Sequence, residues 1–380
     1  MKVALLFLNY GPYHLARLAA ATRECRKLGW EVVGIELARL QAEYDWRTGD
    51  AERAAPVFTV AAGGPLESVP YARLIRGLRR QLSEVSPDVV AIAGYAHPAM
   101  LSALAWCRWR GRPAILFSES NEFDAPRDRW RERMKGLIVK GFKAALVGGR
   151  SSQQYLRKLG MPPDAIFFGY DVVDNDSFDP SRLKALPRPT EQPYFLAVNR
   201  FVPKKNLSSL LNAYALYRRR SGPGAWRLVL CGDGPLRGEV EGLAGGLGLG
   251  GAVEFPGFLQ QPELLPYFAH AGCFILASTE EQWGLVVNEA MAAGLPVLVS
   301  ERCGCFQDLV AGGGNGYGFD PTDVERLAGL MSEVASDGAK RERMGEASLE
   351  RIKKFTPSHF ADGLAAAVLY ATGRDGYRRL

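Results

Sequence analysis

Three features of this sequence predict an α/β protein built from two doubly wound parallel sheets. Strand-length apolar runs alternate with helix-length amphipathic stretches along most of the chain, the signature of βαβ units. The alternation stops once, in FDPSRLKALPRPTEQP at 178–193, where four prolines fall within sixteen residues, and then restarts. A chain of 380 residues is also long for one core and suits two ordinary domains. The expected division is a first Rossmann-like domain at 1–178, a linker at 179–193, a second Rossmann-like domain at 194–355 and a helical tail at 356–380. Such domains take ligands at the carboxyl ends of their strands. Two of them facing each other would hold a ligand in the cleft between.

The elements follow in order. KVALLFL reads as a first buried strand; its apolar run from Ala4 to Leu8 is shorter than a signal h-region, and Asn9 interrupts it. HLARLAAATRECRKLG is a helix, EVVGIEL and DVVAIAG are strands, PAMLSALAWCRWRG is a helix and PAILFSES a strand. A long basic helix and the strand AALVGG close the first half. The second half opens with YFLAVNR and a helix from Asn206. RLVLCGDGP, a glycine-rich helix, VEFPGF, the helix LLPYFAHA, CFILAS, a short helix and PVLVS follow. That short helix starts near Leu285 and must end by Gly294 and Pro296. Thr356–Pro357 caps a tail helix that is free to return to the first domain or to pack elsewhere.

Composition narrows the function classes. Apolar content of 47% and charged content of 23% are those of a soluble globular protein. A net charge of +6 suits anionic small molecules, anionic lipid or nucleic acid. The six cysteines are scattered without paired CxxC motifs, and the single residue between Cys303 and Cys305 argues against a usual zinc site. They read as reduced cytosolic thiols. No apolar run has transmembrane length, so the expected location is the cytoplasm, with peripheral contact at the inner face of the membrane left open.

The chemistry concentrates at the strand ends of the second half. After YFLAV come Arg200 and Lys205, after RLVL comes CGDGP, and after CFILAS come TEEQWG and the head of the short helix at 284–286. Two cations, close-approach glycines and a helix N-terminus suit a diphosphate. Glu281 and Glu289, eight residues apart, would repel phosphate and suit hydroxyl groups on either side of it. A diphosphate flanked by two polyols is a nucleotide-sugar.

These same stretches carry a family resemblance. NRFVPKKN, CGDGP, EQWGLVVNE, EAMAAGLPVLVS and CGCFQDLVAGGGNGYGF, in this order, resemble the retaining glycosyltransferases of family 4, with their two-Rossmann GT-B fold. The likeness is strong over 194–320 and weak in the first domain. It implies that Arg200 and Lys205 bind the donor diphosphate, that Glu289 binds the ribose and that Glu281 meets the transferred sugar. It places Gly284, Leu285 and Val286 against sugar and phosphates, with Pro256, Gly257 and Phe258 near the base. In the first domain LNYGPYH resembles the loop that would bring Gly11 to phosphate or acceptor, and GYAHPAM makes His97 the match to the family's active-site histidine. Two departures stand out: Gly11 is alone where paired glycines are usual, and FSESNEFD replaces a second histidine. Glu119, Ser120 or Glu122 would then shape the acceptor pocket.

The resemblance implies a metal-independent retaining transfer in polysaccharide or glycolipid assembly, from a nucleotide-sugar to a saccharide or lipid-linked acceptor. The nucleotide-sugar is a substrate, so no cofactor is expected, and UDP-sugar is the choice by frequency among similar enzymes. Rival readings are a donor-binding scaffold without transferase activity, supported only by FSES, and an epimerase or hydrolase on the same fold. Asp174-Asn175-Asp176 imitates an Asp-x-Asp metal motif but reads as hinge and turn chemistry. GGLGLGG at 245–251 follows no strand and is no dinucleotide loop. The segment at 127–143 holds seven cations and two acids, with Trp130, Met134, Leu137, Ile138 and Gly141 on one helical face. It is either a core-packed helix with a solvated basic back or a basic amphipathic helix that docks on anionic membrane. Nucleic-acid binding is not expected, because no recognised module accompanies the charge.

Overall fold

The computed structural model describes residues 1–42, 53–124 and 127–374; residues 375–380 of the expected tail lie outside the described residues. The chain divides into two compact units; apart from Phe123 and Asp124, which group with the second unit, the crossings lie between Asp174 and Asn175 and between Lys354 and Phe355. The first unit is therefore completed by the C-terminal segment.

In the first unit the order is β1 (Lys2–Phe7), α1 (Pro12–Lys27), β2 (Glu31–Leu40), β3 (Val57–Pro65), α2 (Tyr71–Val85), β4 (Val89–Ala93), α3 (Pro98–Trp109), β5 (Ala114–Ser118), α4 (Arg129–Val139), β6 (Ala144–Val147), α5 (Arg150–Lys158) and β7 (Ile166–Phe168). All pairings are parallel, in the order β3-β2-β1-β4-β5-β6-β7. Central strands such as β1, β4 and β5 are apolar on both faces, as a sheet covered on two sides requires. One core layer lies under α2, α3 and α5 and the other under α1 and the C-terminal helix.

The second unit runs α6 (Pro180–Leu183), β8 (Tyr194–Val198), α7 (Leu207–Ser221), β9 (Arg227–Cys231), α8 (Arg237–Gly246), β10 (Val253–Gly257), α9 (Gln261–His270), β11 (Cys273–Leu276), α10 (Leu285–Ala292), β12 (Val297–Ser300), α11 (Phe306–Leu309), β13 (Gly316–Phe319), α12 (Val324–Ser336) and α13 (Gly338–Ile352). Its sheet is also parallel, in the order β10-β9-β8-β11-β12-β13. In both sheets the strand order grows outward in two directions from a central pair, β1 with β4 and β8 with β11. At such a reversal the flanking crossovers leave on opposite faces and open a crevice at the carboxyl ends.

The last helix, α14 (Pro357–Ala371), is capped by Thr356, whose hydroxyl accepts from the His359 amide at 3.3 Å. It returns to the first unit. Phe360, Leu364 and Val368 are buried in the core layer shared with α1, and Phe360 meets Phe117 edge-on at 5.6 Å. Contact with β7 is close enough that a Cβ on Gly363 would lie 2.0 Å from the Phe168 carbonyl oxygen. Gly363→Ala is expected to destabilise the protein by about 2 kcal/mol, although alanine is the better helix former. Urea denaturation tests this, and an unchanged midpoint would mean that α14 is not seated on the sheet.

Candidate functional site

The reversal in the second sheet places the loops after β8 and β11 side by side, and backbone hydrogen bonds fix both. The Asn199 amide donates to Cys231 O at 2.9 Å and Phe201 to Asp233 O at 2.8 Å, so the β8 loop lies on the CGDGP loop. Only glycine fits there: Gly232 has φ of +129°, and a Cβ on it would lie 1.7 Å from Asn199 O. Gly232 in turn donates to Gly257 O at 2.7 Å, which fixes the end of β10 and carries Pro256 and the exposed Phe258 with it. On the other side the Thr279 amide donates to Lys204 O at 2.9 Å. Asn206 precedes α7 in a left-handed conformation, and its side-chain amide donates to Ala277 O at 3.2 Å and Pro321 O at 2.8 Å.

On this frame Lys205 and Glu281, 76 residues apart, form an ion pair in which each side chain is 13% exposed. Ser278 donates to the same carboxylate at 3.3 Å. The Glu281 loop is held from below by the loop after β12, through Gly304 N to Glu281 O at 3.1 Å and Cys305 N to Trp283 O at 3.2 Å. Burial, followed by the Glu281 charge, holds the Cys303 thiol well above its usual range, so it is no ready nucleophile. Trp283 is buried and donates from Nε1 to Asn288 Oδ1 at 2.9 Å, which ties the loop to α10. Gly284, at φ +102°, turns the chain into that helix. The amides of Leu285 and Val286 lie in its first turn, where the helix itself supplies no acceptor and the dipole favours an anion. Glu289 follows one turn later and is buried. Arg200, half-buried, sits on the β8 loop between Asn199 and Phe201.

Lys205, Glu281 and the head of α10 thus come together at one strand reversal; Arg200, Gly257 and Phe258 stand on the same set of strand ends, and Glu289 lies one turn into α10. Gly11 and His97 belong to the other unit, at its own reversal, after β1 and β4. Gly11 caps α1, and its amide donates to His14 Nδ1 at 3.4 Å. Glu36 accepts from the neighbouring Tyr10 amide at 3.0 Å and from Thr59 at 2.7 Å. His97 caps α3 by accepting the Ala99 amide on Nδ1 at 3.1 Å and meets Tyr71 edge-on at 5.3 Å. Burial lowers its pKa. A neutral ring whose Nδ1 accepts carries its proton on Nε2.

Sequence reasoning passed over a buried ionic cluster in this unit. Arg17 of α1 lies 3.6 Å from Asp171, both almost fully buried, and its guanidinium stacks 4.5 Å from the Tyr170 ring centre. Burial and then Glu119 push the Asp171 carboxyl well up, against the pull of Arg17. Of the acids in FSESNEFD, Glu119 therefore faces Asp171, whereas Glu122 pairs with Lys158 at the surface. Asp171 follows one of the shortest strands, and nothing local in the sequence marks it. Asn175 opens a single 3-10 turn, Asn175–Phe178, and among the described residues no group of three His, Cys, Asp or Glu side chains could hold a metal ion.

Comparison with known proteins bears on both units. The model for glycosyl transferases group 1 matches residues 180–351, and that for the glycosyl transferase 4-like domain matches residues 14–168. The chain belongs to the group 1, family-4-like glycosyltransferases. Relatives of this family-4-like chain include the lipopolysaccharide core biosynthesis glycosyltransferase LpsE of Rhizobium meliloti, 33% identical over 44% of this chain and 46% of that protein. Another is the GDP-mannose-dependent alpha-(1-6)-phosphatidylinositol monomannoside mannosyltransferase of Mycobacterium tuberculosis, 30% identical over 54% of this chain and 53% of that protein. The chain spans about half the length of these curated relatives. Among solved structures, Anabaena Alr3699/HepE in complex with UDP and glucose superposes with a TM-score of 0.77 at 19% identity, over 97% of this chain and 99% of that one. The fold is the two-Rossmann GT-B fold.

One prediction follows from the first unit. Burial, then the nearby Arg17, lowers the His14 pKa to about 3. The folded imidazole stays neutral where the unfolded one, with its ordinary pKa near 6.5, binds a proton. Stability is therefore lost as pH falls below about 6.5, by about 1–2 kcal/mol at pH 5. His14→Gln should flatten the stability profile between pH 6.5 and 4 relative to the native chain, measured by urea denaturation. Parallel profiles would contradict this account of His14.

Proposed function

We propose that this protein is a retaining, metal-independent glycosyltransferase that moves a sugar from a nucleotide-sugar to a saccharide or lipid-linked acceptor in polysaccharide or glycolipid assembly. The observation that carries the reading is the meeting of Lys205 and Glu281 at the strand reversal beside the Gly284-headed α10. The site offers cationic and backbone donors for a diphosphate, and carboxylates at 281 and 289 suited to hydroxyls. The names of the relatives support this class, and the UDP complex of a protein sharing the fold makes UDP the first candidate, with GDP the second.

In this mechanism Lys205 leaves Glu281 for the diphosphate when donor binds, and the released carboxylate takes up hydroxyls of the transferred sugar. Glu289 holds the ribose. As the glycosidic bond to phosphate breaks, Arg200, Lys205 and the first amides of α10 stabilise charge building on the leaving diphosphate, which accepts the acceptor's proton on the same face. Arg200, Lys205 and the α10 amides take the place of a metal ion at the leaving group, and no protein nucleophile is needed. His97, neutral with a proton on Nε2, is suited to donate to a sugar hydroxyl.

Calorimetric titration with UDP, GDP, ADP and dTDP tests the reading. One nucleotide is expected to bind, with Lys205→Ala and Glu289→Ala each weakening it by at least about tenfold. With the matching nucleotide-sugar, Lys205→Ala should slow turnover by about 100-fold, and the product should keep the donor's anomeric configuration by NMR. Binding of none of the four, or equal binding by both variants, would overturn the assignment.

A further inference from the structure

Helix α4 is amphipathic in the reverse sense to a helix on a globular core. Its polar seam faces inward. Lys135 Nζ reaches Glu132 at 2.8 Å and the Tyr155 hydroxyl at 3.0 Å, and the same hydroxyl lies 2.8 Å from Glu132 Oε2. The Arg127 guanidinium covers the Tyr155 ring at 4.4 Å. Gly136 lies so near the next helix that a Cβ would stand 3.0 Å from Leu159 O. Val139 is the only buried residue of the helix. Its apolar stripe faces out: Trp130 is 68% exposed, Leu137 62% and Met134 43%. These three lie within about 60° of one another around the helix axis. Arg129, Arg131, Arg133 and Lys140 flank them and are also exposed. Glu132 is drawn inward to Tyr155, and Asp128, the other acid of 127–143, is committed to capping the helix. Of the face expected from the sequence, Ile138 packs against the core, whereas Trp130, Met134 and Leu137 do not.

We infer that α4 is a docking helix for an anionic lipid surface, lying in the interface with Trp130, Met134 and Leu137 in the acyl boundary and the flanking cations on headgroup phosphates. An outward apolar stripe has no stabilising role in a solvated monomer, and its cationic border complements anionic lipid. A second copy of the chain is disfavoured, because a symmetric contact would bring the two sets of cations together. The helix is about 16 Å long, and among the described residues none is long and apolar enough to cross a membrane, so the contact is in-plane. The inference is independent of the donor-site reading.

Flotation of the full chain with vesicles of phosphatidylglycerol and phosphatidylcholine, against phosphatidylcholine alone, tests it. Binding is expected only to the anionic vesicles and should fall as salt is raised. Trp130→Ser combined with Leu137→Ser, and separately Arg129→Gln combined with Arg133→Gln, should each lower the partition coefficient at least about tenfold. Circular dichroism and nucleotide titration should remain as in the parent, which separates lost docking from lost folding. Three results would each overturn the proposal: no binding to anionic vesicles, variants that bind like the parent, or a concentration-dependent dimer that the Trp130/Leu137 variant abolishes. The last would assign the face to a second copy, and capture by an acidic protein with no lipid binding would assign it to a protein partner.

Discussion

Lys205 and Glu281 hang from neighbouring strands whose crossovers leave on opposite faces of the sheet, and the site follows from that reversal. Side chains on adjacent strands with crossovers on one face would be covered by a helix. At the β8/β11 boundary the crossovers diverge and leave a gap, so two loops far apart in sequence can meet there and bring opposite charges into contact. Their mutual attraction matters because each is mostly withdrawn from water, where an unpaired charge is costly. The ion pair thus satisfies both groups, and a ligand of the proposed kind would have to offer a stronger anion to Lys205 and hydroxyl donors to Glu281.

The supporting structure is spent on holding these loops rigid. Glycines at 232 and 284 adopt left-handed backbone conformations that other residues rarely take, and at 232 a side chain would strike the neighbouring loop. The Trp283–Asn288 hydrogen bond and the Asn206 side-chain amide lock the two ends of the gap without entering it. A site whose supporting groups are satisfied by one another can keep cations and helix amides oriented toward an anion, with little reorganisation when charge develops. The first unit shows the same economy at its own reversal. Glu36 and His14 fix the β1 loop through backbone amides, and the Arg17–Asp171 pair fastens α1 to the end of β7.

The sequence made the alternation of strands and helices plain because parallel strands are apolar on both faces and helices are not. The short helix ending before Gly294 and the Thr356 cap were legible from local chemistry alone. The positions of Arg200, Lys205 and Glu281 in loops after strands were legible too, since each follows an apolar run, and so was Glu289 in the short helix. What joins them was not: the Lys205–Glu281 pair spans 76 residues, and no periodicity reports such a contact. The destination of α14 was left open by the sequence, because a helix rich in alanine can pack on many surfaces; the burial of Phe360, Leu364 and Val368 beside α1 and the fit of Gly363 against Phe168 seat it on the first sheet. For α4 the sequence shows Trp130, Met134 and Leu137 on one side but not which way that side points, and Ile138, expected on the same face, packs against the core instead. The side facing the protein is chosen by Tyr155, twenty residues away from Lys135, which draws in the charged side chains.

The central claim is that the reversal in the second sheet is a diphosphate site from which Lys205 is borrowed by Glu281 until donor arrives. A crystal structure of the protein with a bound nucleoside diphosphate tests it most directly. The account predicts both phosphates against Arg200, Lys205 and the amides of Leu285 and Val286, the ribose at Glu289, and Lys205 moved off Glu281. A diphosphate seated elsewhere, with the Lys205–Glu281 pair intact, would contradict it.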